Sequence, residues 1–302
     1  MIITPPYLNA GDTIGIVCPA GYMPYAKAQT CINTLQRWGY KVRVGKTLCS
    51  QHNYFAGTDD ERLEDLQGML DDVNVKAILC GRGGYGLSRI IDRIDFSVFR
   101  QHPKWVIGYS DITVLHAHLY STLHTASLHS PMAAAFNDGG ADNIFVQSLR
   151  KALAGEAANY STTVHNFNRE GFAEGELVGG NLSLLAHLAG TTSGVNTNGK
   201  ILFFEDVGEY IYNVDRMLIQ LQRAGMLSNL AGLIVGSFTE MKDTVIPFGE
   251  QVYDCIREKI KLYNYPVCFN FPVGHTDNNY PLTHGAMHSL LIQQDKVALI
   301  QL

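Results

Sequence analysis

The sequence predicts an α/β protein: a mostly parallel sheet covered by helices on both faces in the first half, then an α+β second half. Two features point there. Short, near-continuous apolar runs alternate with amphipathic segments through the first 130 residues, the pattern of strands buried on both faces. Composition agrees, with 46% hydrophobic and 17% charged residues and 29 glycines in 302, a balance that excludes a disordered or coiled-coil chain. A chain of this length is expected to form one large or two modest domains.

TIGIVCP (13–19) reads as a buried strand and AKAQTCINTLQRWG (26–39) as a helix ending at Gly39, followed by the strand YKVRV (40–44). Thr58 opens the next helix, with Glu61 placed for a capping box and acids in the first turn. KAILCG (76–81) is a strand leading through a glycine-rich turn into a helix over LSRIIDRI. KWVIGY (104–109) is a strand running into the helix SDITVLHAHLYSTL, and TASLHS (125–130) is one more strand. The polar stretch 151–175 breaks this rhythm and reads as a linker plus the entry of a second unit, which divides the chain into domains 1–150 and 176–302. Beyond it come a strand to GGN (179–181), the strand ILFFED (201–206), a helix over 214–225, the strand LAGLIVG (230–236), a helix over 250–260, and closing strands in YPVCFN, SLLI and VALIQL.

A formal net charge of −5 leaves no basic excess for phosphate-backbone contacts, so nucleic acid is not an expected partner. The N-terminus lacks the pattern of an export signal and no apolar run approaches ~20 residues, which predicts a cytoplasmic protein without a membrane span. The six cysteines, at 18, 31, 49, 80, 255 and 268, form no CxxC pair and read as free thiols.

Chemistry concentrates where strands end. In VIGYSDIT (106–113), Ser110 falls at a strand-to-helix junction, with Gly108 two residues earlier. That is the arrangement of a nucleophile elbow, although Ile112 departs from G-x-S-x-G, and a serine there can equally be a plain helix cap. CGRGGYGLSR (80–89) carries glycines at 81, 83, 84 and 86. It matches neither G-x-G-x-x-G nor a phosphate-binding G-K-S/T loop, and an oxyanion or carboxylate nest, a nucleotide contact and a tight turn all stay open. His116 and His118 lie two apart on one helix and face different ways. His275, in PVGHTDNN, stands in a loop leaving a strand, where catalytic groups gather. Glu205 and Asp206 end the apolar strand ILFF, a costly place for two acids unless they orient a histidine or cap a turn. No three ligands fall at metal-binding spacing, so neither a metal nor another cofactor is expected.

Taken together, AGTDDERLEDL, LCGRGGYGLSRIIDRIDF, VIGYSDIT, VGGNLSLL, ILFFEDVGEYIYNVDRMLIQL, AGLIVGSFTE and FPVGHTDNN resemble, in order and over almost the whole chain, the serine LD-carboxypeptidases. These include muramoyltetrapeptide carboxypeptidase and the microcin-resistance hydrolases. The resemblance implies a Rossmann-like N-terminal domain carrying the nucleophile Ser110 and a C-terminal domain supplying Glu205 and His275, with the active site in the cleft between them. It also implies an oxyanion hole from the Gly84 and Asp111 amides and release of D-alanine from a murein tetrapeptide by a cytoplasmic homodimer. Arg82 and Arg89, beside the glycine loop, are candidates for holding the terminal carboxylate. Departures fall outside the triad: PAGYM after the first strand and GSFT where the family has GQFT. The 94 residues between Ser110 and Glu205 leave no room for the enlarged loop of the microcin-type members, which favours the murein branch.

Overall fold

The structure, a computed structural model, describes residues 2–302. In chain order the first half holds β1 (Thr13–Val17), α1 (Gln29–Arg37), β2 (Lys41–Val44), α2 (Asp59–Asp71), β3 (Val75–Cys80), α3 (Ser97–Gln101), β4 (Trp105–Gly108), α4 (Thr113–Leu123), β5 (Ser127–His129) and α5 (Ile144–Leu153). The second holds β6 (Asn159–Thr162), β7 (Gly171–Asn181), α6 (Leu182–Leu188), β8 (Ile201–Val207), α7 (Ile211–Arg223), β9 (Gly232–Thr239), α8 (Val252–Ile260), β10 (Val267–Cys268), β11 (Leu282–His284), β12 (Met287–Ile292) and β13 (Val297–Gln301). Two compact units result, residues 1–156 with 280–283, and residues 157–279 with 284–302.

In the first unit the sheet order is β11-β5-β4-β3-β1-β2, and the pairs joining β1 through β5 are parallel. This is the doubly wound α/β arrangement that the alternating apolar runs predict, and its order reverses between β1 and β3. Loops at the carboxyl ends of strands flanking such a point are where these folds place their sites. Ile14, Ile16, Ala77, Leu79, Trp105, Ile107 and Leu128, alternate residues of neighbouring strands, form one core with Cys31 and Leu35 of α1 and Val146, Leu149 and Leu153 of α5. Helix α2 is held at both ends. The Thr58 hydroxyl accepts from the Glu61 amide at 3.2 Å while Glu61 accepts from the Thr58 amide at 2.7 Å, a capping box contributing about 1 kcal/mol. At the other end the buried Lys104 ammonium donates to the Met69 and Asp72 carbonyls at 3.0 and 2.7 Å. Burial pushes that amine down to about 8.

The second unit is built on a sheet of order β10-β9-β8-β7-β12-β13-β6. Strands β7 to β10 run parallel, while β12, β13 and β6 add antiparallel, so this half is α+β as expected.

Two elements differ from the sequence reading. The stretch 151–175, read as a linker plus the entry of a second unit, contains the end of α5, all of β6 and the start of β7. Strand β6 is an edge strand that turns only Tyr160 inward, opposite Leu299, and its other residues are polar because they face solvent. The segment LSRIIDRI forms two short 3-10 turns, Leu87–Arg89 and Ile91–Arg93. The Leu87 amide donates to the Asp111 carboxylate at 2.8 Å.

Candidate active site

In the first unit β4 ends at Gly108 and a single 3-10 turn, Ser110–Ile112, leads into α4. Ser110 adopts φ +63°, a left-handed conformation uncommon for a residue with a side chain. Such strain marks a nucleophile elbow, whose backbone holds a hydroxyl out at a sheet edge. A serine capping a helix would instead show extended backbone, and here the extended cap position falls on Tyr109. Behind the turn, His116 braces the backbone. Its Nε2 lies 2.8 Å from the Gly108 carbonyl and its Nδ1 2.8 Å from the Ser127 hydroxyl. Burial drives that imidazole down to about 4, so it donates from Nε2 and accepts at Nδ1. His118 stacks on Phe96, and the two histidines share no site, as their spacing predicts.

The glycine loop lies against this turn. A methyl group added at Gly83 would stand 2.8 Å from Ser110 Cβ, 3.0 Å from its Oγ and 3.3 Å from the Asp111 amide, so only glycine permits the approach. No backbone carbonyl accepts from the amides of Gly83, Gly84 or Asp111 among the described residues. The side chain of Asp111 is buried, accepts from the Leu87 amide at 2.8 Å, and is pushed up to about 6, burial outweighing the hydrogen bonding. Arg82 is exposed and donates to the Tyr22 carbonyl at 2.5 Å. Arg89 is committed differently. Its Nε lies 2.9 and 3.0 Å from the two oxygens of Asp59, and its guanidinium lies over the Phe55 ring.

In the second unit the two acids stand side by side near the end of β8, and the alternation of side chains along a strand turns them to opposite faces and different work. The Glu205 side chain is fully buried, and its Oε2 stands 2.6 Å from His275 Nδ1. That contact keeps the hydrogen on Nδ1 and makes Nε2 the basic nitrogen. Burial lowers the affinity of His275 for a proton, but the hydrogen bond and charge of Glu205, with Asp206 and Glu240 beyond, outweigh it and leave the imidazole above its ordinary value. Asp206 accepts from Asn181 Nδ2 at 2.8 Å, the Ser183 amide at 3.0 Å and the Val207 amide at 2.9 Å. It thus ties down the first turn of α6. Burial, helped by the charge of Glu205, pushes Asp206 up to about 7.

Sequence reasoning passed over two residues that shape this pair. Gly274 adopts φ +118°, and a methyl group there would lie 2.7 Å from Glu205 Oε2. The buried Asn279 accepts from the Gly274 amide at 3.1 Å and closes the His275 loop on itself. The signal for the second was the NN of HTDNN, read only as a loop-former. Among the described residues no group of three His, Cys, Asp or Glu side chains is placed to hold a metal ion, and no helix is long and apolar enough to cross a membrane. All six cysteines are free, and only Cys49 is exposed.

A strained serine at a sheet edge and a carboxylate-held imidazole are the equipment of hydrolases that use a serine nucleophile. Comparison with known proteins narrows the class. The profile of the LD-carboxypeptidase N-terminal domain matches residues 14–130 and that of the C-terminal domain residues 174–290. A protein of Bacillus subtilis (strain 168), named a probable murein peptide carboxypeptidase, is 38% identical over 306 residues, covering 98% of this chain and 94% of its own. The crystal structure of muramoyltetrapeptide carboxypeptidase from Oxalobacter formigenes superposes with a TM-score of 0.87 at 30% identity, over 96% of this chain and 98% of that one. MccF in complex with glutamyl sulfamoyl guanosine superposes with a TM-score of 0.86 over 98% of this chain and 97% of its own, but at 22% identity it shows the fold alone. The chain belongs to the LD-carboxypeptidase family and is a carboxypeptidase, a hydrolase.

Proposed function

We propose that this carboxypeptidase hydrolyses the L,D-amide bond that joins a terminal D-alanine to a murein tetrapeptide, through a Ser110–His275–Glu205 triad and an acyl-enzyme. The observation that carries the reading is the left-handed backbone of Ser110 at the end of β4, a conformation with cost and no capping benefit. The names of the Bacillus and Oxalobacter proteins support the substrate.

His275 Nε2 takes the Ser110 proton as Oγ attacks the scissile carbonyl, and Glu205 steadies the imidazolium that forms. The amides of Gly84 and Asp111 receive the oxygen as it gains charge. The carbon–nitrogen bond then breaks, His275 protonates the departing D-alanine amine, and the acyl group remains on Oγ. Water activated by the same imidazole releases the tripeptide and restores the serine. Arg82 is the better partner for the terminal carboxylate, because Arg89 is already held on two oxygens of Asp59.

We also infer a cytoplasmic homodimer, consistent with a substrate recovered from the wall inside the cell and with two-fold pairing as the commonest assembly. Incubating the protein with murein tetrapeptide and following mass decides the activity. Loss of one alanine is the expected result, and an intact tetrapeptide beside a cleaved aminoacyl-nucleotide conjugate would move the protein to MccF-like chemistry.

A further inference from the structure

A fully buried arginine stands behind the glycine loop with no part in the reaction just described. Arg62 projects from α2, is 0% exposed, and stacks with its guanidinium carbon 5.0 Å from the centre of the Phe55 ring. Its Nη1 donates to the Pro19 carbonyl at 2.5 Å and the Gly86 carbonyl at 3.0 Å, and its Nη2 pairs with Asp59. Removing a guanidinium from water costs several kcal/mol, and an apolar side chain would fill the same space without that penalty.

The positions of its partners explain the arrangement. Pro19 follows β1, Gly86 follows β3, and Asp111 follows β4, three adjacent strands of the parallel sheet. Arg62 joins the first of these loops to the second through two carbonyls. Asp111 joins the third to the second by accepting from the Leu87 amide at 2.8 Å. The Gly86–Leu87 peptide is therefore gripped by its carbonyl on one side and its N–H on the other, two residues beyond Gly84. The grip is tight: a methyl group at Gly86 would stand 2.6 Å from Arg62 Nη1.

We propose that Arg62 and the Asp111 carboxylate form a clamp that fixes the glycine loop against Ser110, which makes Arg62 a positioning residue for oxyanion stabilisation. Lysine cannot substitute, since a single ammonium lacks the planar fork that reaches two carbonyls and a carboxylate together. The clamp acts on geometry and leaves substrate affinity largely alone, because it touches the loop from the side of the core.

This inference rests on Ser110 as the nucleophile, and the experiment separates the two. Full-length protein is treated with a fluorophosphonate, which forms an oxygen–phosphorus bond to an activated serine and releases fluoride. Both the maximal inactivation rate and the half-saturating probe concentration are measured. Ser110→Ala should not label. Labelling of that variant at the wild-type rate would remove the nucleophile, and the clamp's role with it. With Ser110 intact, Arg62→Lys and Asp111→Ala should each slow the maximal rate by roughly 10- to 100-fold, with half-saturation changed by less than about threefold. Arg62→Ala should regain rate in millimolar guanidinium, below unfolding concentrations, and not in tetramethylammonium. If Arg62→Lys does not fold, Asp111→Ala decides. Wild-type labelling rates in folded Arg62→Lys and Asp111→Ala, or equal rescue by both cations, would overturn the clamp.

Discussion

Glu205 Oε2 lies 2.6 Å from His275 Nδ1, with the acid fully buried and the imidazole 18% exposed. Since His275 is held above its ordinary value, and a general base must be neutral to act, kcat/KM should be lost as pH falls through a value above the usual imidazole value of about 6.5. Glu205→Gln removes both the charge and the ionic hydrogen bond. The acidic limb should then move to lower pH, and kcat should fall on the order of 10²- to 10⁴-fold. The linkage to stability has the matching sign: the His275–Glu205 contribution is present below about pH 6.5 and is lost as pH rises through the raised value. A pH–rate profile that keeps its acidic limb in Glu205→Gln would refute the pairing.

The neighbouring acid should behave otherwise. Asp206 serves Asn181 and the first turn of α6, so Asp206→Asn should lower activity less than Glu205→Gln. With Asp206 pushed up to about 7, its neutral form is the one that folding favours. Its contribution is present below about pH 4 and is lost as pH rises through about 7. Thermal unfolding from pH 4 to 8 should therefore show a shallower loss in Asp206→Asn than in the wild type.

That division of labour marks how far sequence reading reached. ILFFED showed that two acids end a buried strand, and the resemblance chose Glu205. Alternation along the strand turns the two side chains to opposite faces, but which face meets His275 depends on the packing of the distant PVGH loop, which ILFFED does not disclose. The mostly parallel first sheet was legible because β1, β3 and β4 are near-continuous apolar runs. Strand β6 was not, since an edge strand with one inward residue carries little periodic signal. Ser110 stood out by its junction. Its left-handed φ and the packing of Gly83 onto it depend on contacts between distant segments, which GRGG and GYSD do not disclose separately. Arg62 was invisible for a simpler reason: within TDDERLEDL it looks like any helix-surface charge.

The brace at His116 should report as stability rather than chemistry. His116→Leu strips a donor from the Gly108 carbonyl and leaves the Ser127 hydroxyl without its acceptor, a loss of about 2–4 kcal/mol in urea unfolding at pH 7. Because burial holds this imidazole down to about 4, its contribution is fully present above about pH 6.5 and is lost as pH falls from there through about 4. The gap between wild type and variant should accordingly narrow on acidification. A constant gap from pH 7 to pH 4 would show that His116 does not titrate there.

Gly83→Ala tests the closeness of the glycine loop to the nucleophile. The added methyl group meets Ser110 Cβ at 2.8 Å, and a displacement of about 1 Å at a reacting atom can cost about 10²-fold. The expected result is a fall of that order in kcat with circular dichroism unchanged. Gly68→Ala is the control. It lies within α2 with nothing inside 4 Å of the new methyl group, and should leave activity alone while stabilising the helix by about 0.5–1 kcal/mol.

The decisive prediction concerns Ser110 and His275 as one unit. If the imidazole removes the serine proton, neither group has a function in bond-making without the other. Ser110→Ala and His275→Ala should each reduce kcat on the order of 10⁴-fold or more, and the double variant should be little worse than either. Independent contributions would instead multiply, taking the double variant far below both singles. Folding should survive, because Ser110 occupies a turn with unfavourable backbone and His275 a loop closed by Asn279 and Gly274. Ser110→Ala retains the left-handed strain, so no gain in stability is expected from it. Activity should also persist after exhaustive EDTA treatment, since none of these steps calls for a metal. Kinetics on the tetrapeptide, with circular dichroism as the folding check, discriminate the cases: near wild-type turnover in Ser110→Ala would remove the covalent mechanism, and multiplicative losses in the double variant would dissolve the triad into separate roles.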